Sequence, residues 1–299
     1  MNILFCSSPL ETKKIDVDWE NEYELAKRYN VSAWLFDYDA FITDGNIQLH
    51  GNTEKPTQIQ PMIYRGWMLP IDSYHHLYQT LLQCNFRLIN SPDEYQHCYY
   101  LPCCYDVIKD KTAASVFFHG QKTPNDSELL ALLSQFGSKP IIVKDYVKSR
   151  KHDWKEACFI PNASDLSYAK TIVANFITRQ ANHFQGGLVF REFIDMAPIG
   201  MHPKSHMPLT QEYRIFILNK KPISCTEYWQ GTHYHDDKPI NLDQFTGIFS
   251  TVRSHFFTVD IAKKKTGDWM IMELGDGQVA EYIGERGAEQ LYAEIGQKA

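Results

Sequence analysis

Two carboxylates near the ends of two predicted strands could hold a divalent cation. Asp260 lies in FFTVDIA and Glu273 in DWMIMEL, and the charged, glycine-ended segment KKKTG between them favours a β-hairpin. An antiparallel pairing can bring both carboxylates to one point. Mg²⁺ takes one or two carboxylates and leaves its other positions to water and phosphate oxygens. A surface hairpin with two unrelated acids is the open alternative.

A second group of chemically capable residues is basic. The apolar segment PIIV runs straight into Lys144, and Lys148, Arg150 and Lys151 follow in a loop that also contains Ser149. Ammonium groups on such a loop can act as point charges over bound phosphates. A solvated basic turn is the more ordinary interpretation of a charge run.

Arg65 is a third candidate, because the segment MIYRGWML predicts a strand that ends in a turn at Arg65 and Gly66. Small ligands bind at the carboxyl edge of parallel sheets, where a guanidinium could meet them. The alternative is a solvated arginine in a turn.

The elements that must position these residues change along the chain. NILFCSS, WENEYELAKRYN and VSAWLFDYDAF predict a strand, a helix and a strand, which is the β-α-β rhythm of a parallel sheet. From about Leu101 the pattern is of α+β type. SELLALLSQFG predicts a helix that ends on Gly137, and TQEYRIFILNKKPISCTEYW predicts a second hairpin.

Length and composition set the broad class. The 299 residues suffice for two domains, and 43% hydrophobic with 22% charged residues is typical of a globular protein. The net charge of −6 argues against a dominant nucleic-acid surface. We see neither a signal peptide nor an apolar run of membrane-spanning length, so we expect an intracellular, cytoplasmic protein with reduced cysteines.

Two possible metal sites compete with the carboxylate pair. Cys103 and Cys104, with His97 and Cys98 nearby, could suggest zinc, but a second paired-ligand cluster at a finger-like spacing is missing. Ordinary buried cysteines are the preferred interpretation.

Two histidines in a polar loop are the other possibility. His233 and His235 alternate along the chain and could bind a metal, although a third ligand is not evident. They lie in the segment Gly231–Ile248, which we expect, with the segment Met196–Pro208, to face a substrate. The pattern of these loops does not identify that substrate.

The order of the motifs resembles the ATP-grasp superfamily of carboxylate ligases. The motifs are, in chain order, Asp110-Lys111, Thr123-Pro124, an amphipathic helix, KPIIVK, VFREFI, QEYRIFIL, VDIA and MELGDGQ. The likeness spans roughly Leu101 to Tyr282. Within the superfamily, the ELGDGQ ending is similar to the clade in bacterial and phage genomes that is named for an arginine and two lysines.

This resemblance implies a mixed fold, α/β and α+β. Residues 1–100 would form an N-terminal β-α-β pre-ATP-grasp domain. Residues 101–299 would form the ATP-grasp domain, whose two α+β subdomains hold ATP between them. ATP and Mg²⁺ are the implied cofactors.

The resemblance also assigns nucleotide contacts. Lys111 and Lys144 match the two lysines that reach the phosphates. Glu192, Phe193 and Ile194 match the hinge strand that meets the adenine, partly through backbone groups.

The remaining matches concern the reacting groups. Glu212 and Arg214 match an acidic and a basic residue, which would lie at the ribose and at the phosphates or the acyl-phosphate. Asp260 and Glu273 match the magnesium carboxylates. Arg65 is the candidate for the clade's arginine, which would receive a substrate carboxylate.

The sequence departs from the family pattern after Glu273. Many members have asparagine two residues later, whereas this chain has Gly275 followed by Asp276. Either Asp276 supplies the third metal ligand with a shifted geometry, or a second metal is held more weakly.

Three functions are open at this point. The first is an ATP-dependent carboxylate-amine ligase that works through an acyl-phosphate, with a small-molecule or peptide carboxylate and an amine as substrates and ADP and phosphate as products. The second is an inactive ATP-binding or sensing module. The third is an interaction protein whose charged residues lie merely at the surface. A membrane or nucleic-acid partner is not expected, and a homodimer is common in such enzymes.

Overall fold

The computed structural model of the chain describes residues 1–51, 56–120, 122–201, 208–229, 234 and 240–296, apart from the side chains of residues 285 and 286. Its strands are β1 (Asn2–Cys6), β2 (Ser32–Phe36), β3 (His50–Gly51), β4 (Gln60–Arg65), β5 (Phe86–Leu88), β6 (Ser115–His119), β7 (Ile141–Asp145), β8 (Phe159–Ile160), β9 (Gly187–Glu192), β10 (Pro198–Met201), β11 (Pro208–Thr210), β12 (Glu212–Leu218), β13 (Lys221–Glu227), β14 (Phe256–Lys263) and β15 (Trp269–Asp276). Its helices are α1 (Glu20–Arg28), α2 (Tyr38–Asp44), α3 (Ile71–Gln83), α4 (Pro92–Tyr99), α5 (Leu101–Ile108), α6 (Asp126–Leu133), α7 (Trp154–Ala157), α8 (Leu166–Gln180), α9 (Thr246–Thr251) and α10 (Gly284–Gly296).

The N-terminal sheet has the order β3-β2-β1-β4-β5 and is parallel except at β3. The β-α-β rhythm predicted from the sequence is therefore confirmed. One boundary differs, because DYDAF does not continue the second strand but forms α2. Asp37 caps this helix by accepting a hydrogen bond from the backbone N–H of Ala40 (3.0 Å), which favours a helix start over further extension.

Two antiparallel four-stranded sheets follow. The first has the order β6-β9-β7-β8, and α6 and α8 cover it with an apolar core of their own. The second has the order β13-β12-β14-β15, and its core includes residues of α5 and α9. Arg191, buried on β9, ties the sheets together, since its Nη2 donates to Thr112 Oγ1 (2.8 Å) and to the Ile271 carbonyl (3.3 Å).

The hairpin predicted around KKKTG is present as β14 and β15. Asp260 pairs directly with Glu273, and on the other side of β14 it pairs with Arg214 of β12. Paired residues of an antiparallel sheet share one face, so all three side chains point the same way.

The C-terminal helix α10 returns to the N-terminal sheet. Leu291 and Tyr292 of α10 lie fully buried in the same apolar core as Ile3 and Phe5 of β1. The division into residues 1–100 and 101–299 stays a prediction. In the part of the chain that is described, no helix is long and apolar enough to cross a membrane.

Candidate active site

One face of the second sheet concentrates ionisable side chains. Arg214 holds Asp260 through two parallel hydrogen bonds, Nε to Oδ1 at 2.8 Å and Nη2 to Oδ2 at 2.7 Å. The Asp260 side chain is only 6% exposed. This forked geometry is the strong form of an arginine-carboxylate pair.

Lys144 brings the first sheet to this face. It stands near the end of β7, is 6% exposed, and its Nζ lies 3.3 Å from Glu273 Oε2 on β15. The Glu273 side chain is 46% exposed and therefore reachable by a ligand. The structure thus unites Lys144 and Glu273, which are 129 residues apart in the sequence, with Arg214 and Asp260.

The surroundings raise the pKa of some acids on this face and lower that of another. Burial, followed by the neighbouring Asp260 carboxylate, raises the pKa of Glu212 to about 7. Burial also raises the pKa of Asp260, against the lowering effect of Arg214. For Glu273, burial is outweighed by the nearby cations, foremost Lys144, which hold its pKa below the ordinary value. Acids that disfavour one another's ionisation in this way would be stabilised by an added cation.

A cavity of about 390 Å³ opens between the two sheets at this point. Its lining includes Lys144, Tyr146, Lys148, Arg214, Tyr228, Glu273, Val279, Ala280 and Glu281. Anionic and neutral polar groups of a ligand would both find partners there.

The sequence did not single out the tyrosines of this cavity. The Arg214 guanidinium stacks over the ring of Tyr228, 4.8 Å from its centroid. Tyr146 packs so tightly on Gly186 that a Cβ there would lie 2.1 Å from the ring, and Gly186 has φ +71°. Tyr146 directly follows the last residue of β7, and nothing in the local sequence indicates that it lines a cavity.

Lys151 of the basic loop feels the same acids electrostatically. Desolvation lowers the pKa of Lys151, but Glu212, Tyr228, Glu273 and Asp260 together outweigh it, so the pKa is raised. That this loop covers bound phosphates stays a prediction.

A second cavity, of about 520 Å³, borders the hinge between the sheets. It is lined by Lys111, Glu192 and Ile194 on one side and by Trp269 and Met270 of β15 on the other. Lys111 and Lys144, predicted to act together, thus line different cavities.

Phe193 points elsewhere. Its ring packs against Trp154 (5.7 Å between centroids) and Phe159 (5.2 Å), and its backbone N–H donates to the carbonyl of Pro140. Of the three predicted hinge residues, Phe193 thus anchors the strand, whereas Glu192 and Ile194 face the cavity.

The structure does not fit the role predicted for Arg65. Its side chain is 0% exposed and makes a forked ion pair with Glu22, Nε to Oε2 at 2.8 Å and Nη2 to Oε1 at 2.7 Å. Its Nη1 donates to the carbonyls of Gly277 (2.6 Å) and Ala280 (3.0 Å). The predicted contact with a substrate carboxylate does not fit a guanidinium so enclosed.

Asp276 also lies away from the predicted metal site. It pairs with Phe257, three residues from Asp260, so its side chain points to the opposite face of the sheet. There it is 1% exposed and accepts hydrogen bonds from Asn90 Nδ2 (2.6 Å) and the backbone N–H of Gln278 (2.9 Å). Burial raises its pKa to about 7. The structure therefore does not place the Asp276 side chain beside Asp260 and Glu273, and its role as a third metal ligand stays a prediction.

Replacing Asp276 by asparagine should therefore damage folding rather than metal binding. The NH2 group of the new asparagine must face the N–H donor of either Asn90 or Gln278, so one hydrogen bond is lost. An unsatisfied buried polar group costs about 1–3 kcal/mol. We expect urea denaturation to show that loss, while calorimetry shows an unchanged magnesium dependence of ATP binding. Asp268→Asn, an exposed change on the same hairpin, is the control. A lost magnesium dependence would restore Asp276 as a ligand.

The alternative metal sites gain no support. Cys98 and Cys104 are buried, and the Nδ1 of His97 is 3.2 Å from Arg253 Nη2. Among the residues that the structure describes, no three His, Cys, Asp or Glu side chains are grouped to hold a metal. His202, His206, His233 and His235 lie outside the described residues.

Comparison with solved structures shows the same fold. The RimK domain ATP-grasp protein from Sphaerobacter thermophilus has a TM-score of 0.63 at 11% identity over 99% of this chain and 98% of its own. The macrocyclase MdnC from Microcystis aeruginosa, bound with its precursor peptide MdnA, has a TM-score of 0.59 at 12% identity over 100% of both chains. The ATP-grasp ligase PsnB, complexed with a precursor variant, Mg and ADP, has a TM-score of 0.55 at 13% identity over 99% of this chain and 95% of its own.

No curated protein sequence matches the chain. A family model of the ATP-grasp domain, family 3 of the clade named for an arginine and two lysines, matches residues 135–295, which include Lys144, Arg214, Asp260 and Glu273. That range covers more than half of the 299 residues and agrees with the ATP-grasp fold and the clade expected from the motif order. The chain belongs to the arginine-and-two-lysine clade of the ATP-grasp proteins.

Proposed function

We propose that this protein is an ATP-dependent ligase that joins a carboxylate to an amine. The observation that carries the proposal is the Lys144–Glu273 bridge between the sheets, with Asp260 directly opposite Glu273 and forked to Arg214. Lys144, Arg214 and Glu273 line an open cavity, and Arg214 holds Asp260 beside it. Carboxylates and cations of this kind are what a magnesium-nucleotide complex requires for binding.

The two cavities suit the two ends of a nucleotide. Met270 borders the hinge cavity and Glu273 the cavity between the sheets, and three residues of an extended strand span about 10 Å. We place the base near Ile194 and Glu192, the ribose near Glu212, and the phosphates along Lys144 and Arg214. Lys111, which lines the hinge cavity with Glu192 and Ile194, would have to reach out of that cavity to meet the phosphates.

The donor set fits Mg²⁺ when the nucleotide is bound. Asp260 and Glu273 supply carboxylate oxygens, and phosphate oxygens and water would complete the coordination. The metal would neutralise phosphate charge during transfer. Arg214 and Lys144 pair with the two carboxylates in the structure, so these side chains must turn to the phosphates as the metal arrives.

The chemistry needs little from the protein beyond position and charge. A carboxylate oxygen of the substrate attacks the γ-phosphorus, the bond to the ADP oxygen breaks, and an acyl-phosphate forms. An amine then attacks the carbonyl carbon, loses a proton and expels phosphate. Lys144 and Arg214 would hold the transferred group in line and offset its charge.

A module that binds ATP without catalysis is the second candidate. It is favoured by the position of Asp276, whose side chain lies on the opposite face of the sheet and so does not join Asp260 and Glu273. A site with one weakly held metal could bind a nucleotide and fail to transfer its phosphoryl group.

The test has two stages. Calorimetric titration of ATP with Mg²⁺ comes first, followed by assays of ADP release with panels of amino acids and short peptides as acyl donors and nucleophiles. Binding with acceptor-dependent ADP release supports the ligase. Binding without release across the panels favours the second candidate, and no binding contradicts both.

A bulky side chain in the hinge cavity should compete with the base. Ala114 is exposed and lines that cavity, so Ala114→Trp is expected to weaken ATP binding by at least about tenfold, or about 1.4 kcal/mol. Calorimetry measures this effect. The same change at Ala131, exposed on α6, controls for a surface tryptophan. Equal affinities in both variants would move the base out of this cavity.

A further inference from the structure

Arg65 connects the N-terminal sheet to the wall of the site cavity. Its Nη1 donates to the carbonyls of Gly277 and Ala280, which belong to the segment that follows β15. Residues 277–281 are called the wall segment below, since Val279, Ala280 and Glu281 line the cavity. One guanidinium nitrogen therefore fixes two points of the wall segment.

The arginine is itself held rigidly. Glu22 of α1 accepts both parallel hydrogen bonds from Arg65 and a third from the Tyr292 hydroxyl of α10 (2.8 Å). The Arg65 guanidinium also lies 4.7 Å from the ring of Tyr282, just beyond the wall segment, and 5.3 Å from that of Trp19. Two helices and two aromatic rings thus leave it a single orientation.

The wall segment also contacts Arg214 of the site. The carbonyl of Glu281 accepts a hydrogen bond from Arg214 Nη1 (3.2 Å), and the same guanidinium makes the fork to Asp260. Ala280 and Glu281 are neighbours in the chain, so the carbonyls held by Arg65 and by Arg214 are adjacent. A shift of the wall segment would turn Arg214.

We propose that Arg65 is a positioning residue: through the wall segment it sets the orientation of the Arg214 guanidinium. This rests on the proposed function in that Arg214 meets the terminal phosphate of ATP. The forked shape of the guanidinium explains why an arginine is needed, since Nε and Nη2 donate to Glu22 while Nη1 reaches both carbonyls. A lysine ammonium cannot span these partners.

A purely structural role is the competing explanation, because breaking a buried ion pair unfolds many proteins. The double variant Glu22→Met/Arg65→Met separates the two. Replacing a buried pair by apolar residues of similar volume is often neutral for stability. This variant should regain the fold and yet leave the wall segment without its two hydrogen bonds.

Three measurements on the full chain test the proposal. Urea denaturation reports stability, deuterium uptake reports protection of residues 277–281, and calorimetry compares Mg²⁺ with ADP against Mg²⁺ with the ATP analogue AMPPNP. We expect a cooperative unfolding transition at a lower urea concentration than in the wild type, because the Gly277 and Ala280 carbonyls and the Tyr292 hydroxyl lose their partners. We also expect faster exchange in the wall segment and an unchanged ADP affinity. The preference for the analogue should fall about tenfold, the loss expected for one hydrogen bond to a charged group.

Arg28→Met is the matched control. Arg28 also links α1 to α10, at 3.6 Å from Glu289, but its side chain is 65% exposed. This surface pair lies on the same two helices as the Arg65 network without being part of it. The control should change none of the three readouts.

The outcomes separate this inference from the proposed function. Wild-type exchange and wild-type nucleotide preference in a stable double variant would overturn the positioning role. If the wild-type protein binds neither nucleotide, the proposed function fails, and deuterium uptake alone still tests whether Arg65 holds the wall segment. Should the double variant not fold, Arg65→Lys keeps the charge beside Glu22. The same loss is expected from it, and full retention of both readouts would contradict the proposal.

Discussion

Changing both carboxylates of the site, as Asp260→Asn/Glu273→Gln, is expected to abolish the magnesium dependence of ATP binding. Each amide keeps the shape of the side chain but lacks the charge that a hard cation requires. The variant also frees two cations, because Asp260 no longer holds Arg214 by charge and Glu273 no longer holds Lys144. Affinity for ATP with Mg²⁺ should fall at least about 100-fold, or about 2.7 kcal/mol. Metal-free ATP should bind at least as well as it does to the wild type.

This opposite behaviour with and without metal makes the test specific. Calorimetry in Mg²⁺ and in EDTA measures both affinities for each protein. Asp268→Asn/Glu227→Gln removes two exposed carboxylates from the same sheet and should leave both affinities unchanged. If the site variant retained a wild-type ratio of the two affinities, Asp260 and Glu273 would be ordinary acids of the sheet.

Local patterns predicted the elements of the fold well. The hairpin of β14 and β15 follows from two apolar runs and a charged, glycine-ended turn, and it predicted the pairing of Asp260 with Glu273. Local patterns could not predict that α10 packs on the N-terminal core, because its partners on β1 are almost the length of the chain away in the sequence. Periodicity shows which face of a helix is apolar and not what covers it.

Site residues were predictable where register fixes them and unpredictable where a side chain has a choice. Asp260 and Glu273 could meet once the hairpin formed, and they do so in the register that it adopts, which shifts between Asp260 and Ile261. Arg65 and Asp276 also lie at the ends of strands. Each is hydrogen-bonded inside the protein to a residue from a distant segment, Arg65 to Glu22 and Asp276 to Asn90. A charged residue at a strand end therefore indicates a ligand contact only when the sequence shows no second group that could satisfy it.

The Glu212→Gln variant is expected to be more stable than the wild type at pH 8 and no more stable at pH 4. Folding raises the pKa of Glu212 from the ordinary 4.5 to about 7, chiefly by burial and then by the Asp260 carboxylate. Between these values the unfolded chain releases a proton that the folded chain retains, so stability falls as the pH rises and levels off above 7. Glutamine mimics the protonated acid at every pH. The gain should approach about 3 kcal/mol above pH 7.

Urea denaturation of both proteins at pH 4 and pH 8 measures this difference, and Glu227→Gln, an exposed change on β13, controls for the substitution itself. Mg²⁺ with ATP should narrow the gap at pH 8, because a bound cation stabilises the ionised cluster and glutamine gains less from it. A gap that is the same at both pH values would mean that Glu212 is not destabilised by its neighbours. The expected pattern would instead show that burial, together with the Asp260 carboxylate, makes the ionised form of Glu212 unfavourable in the folded chain, and that the bound metal relieves part of this destabilisation.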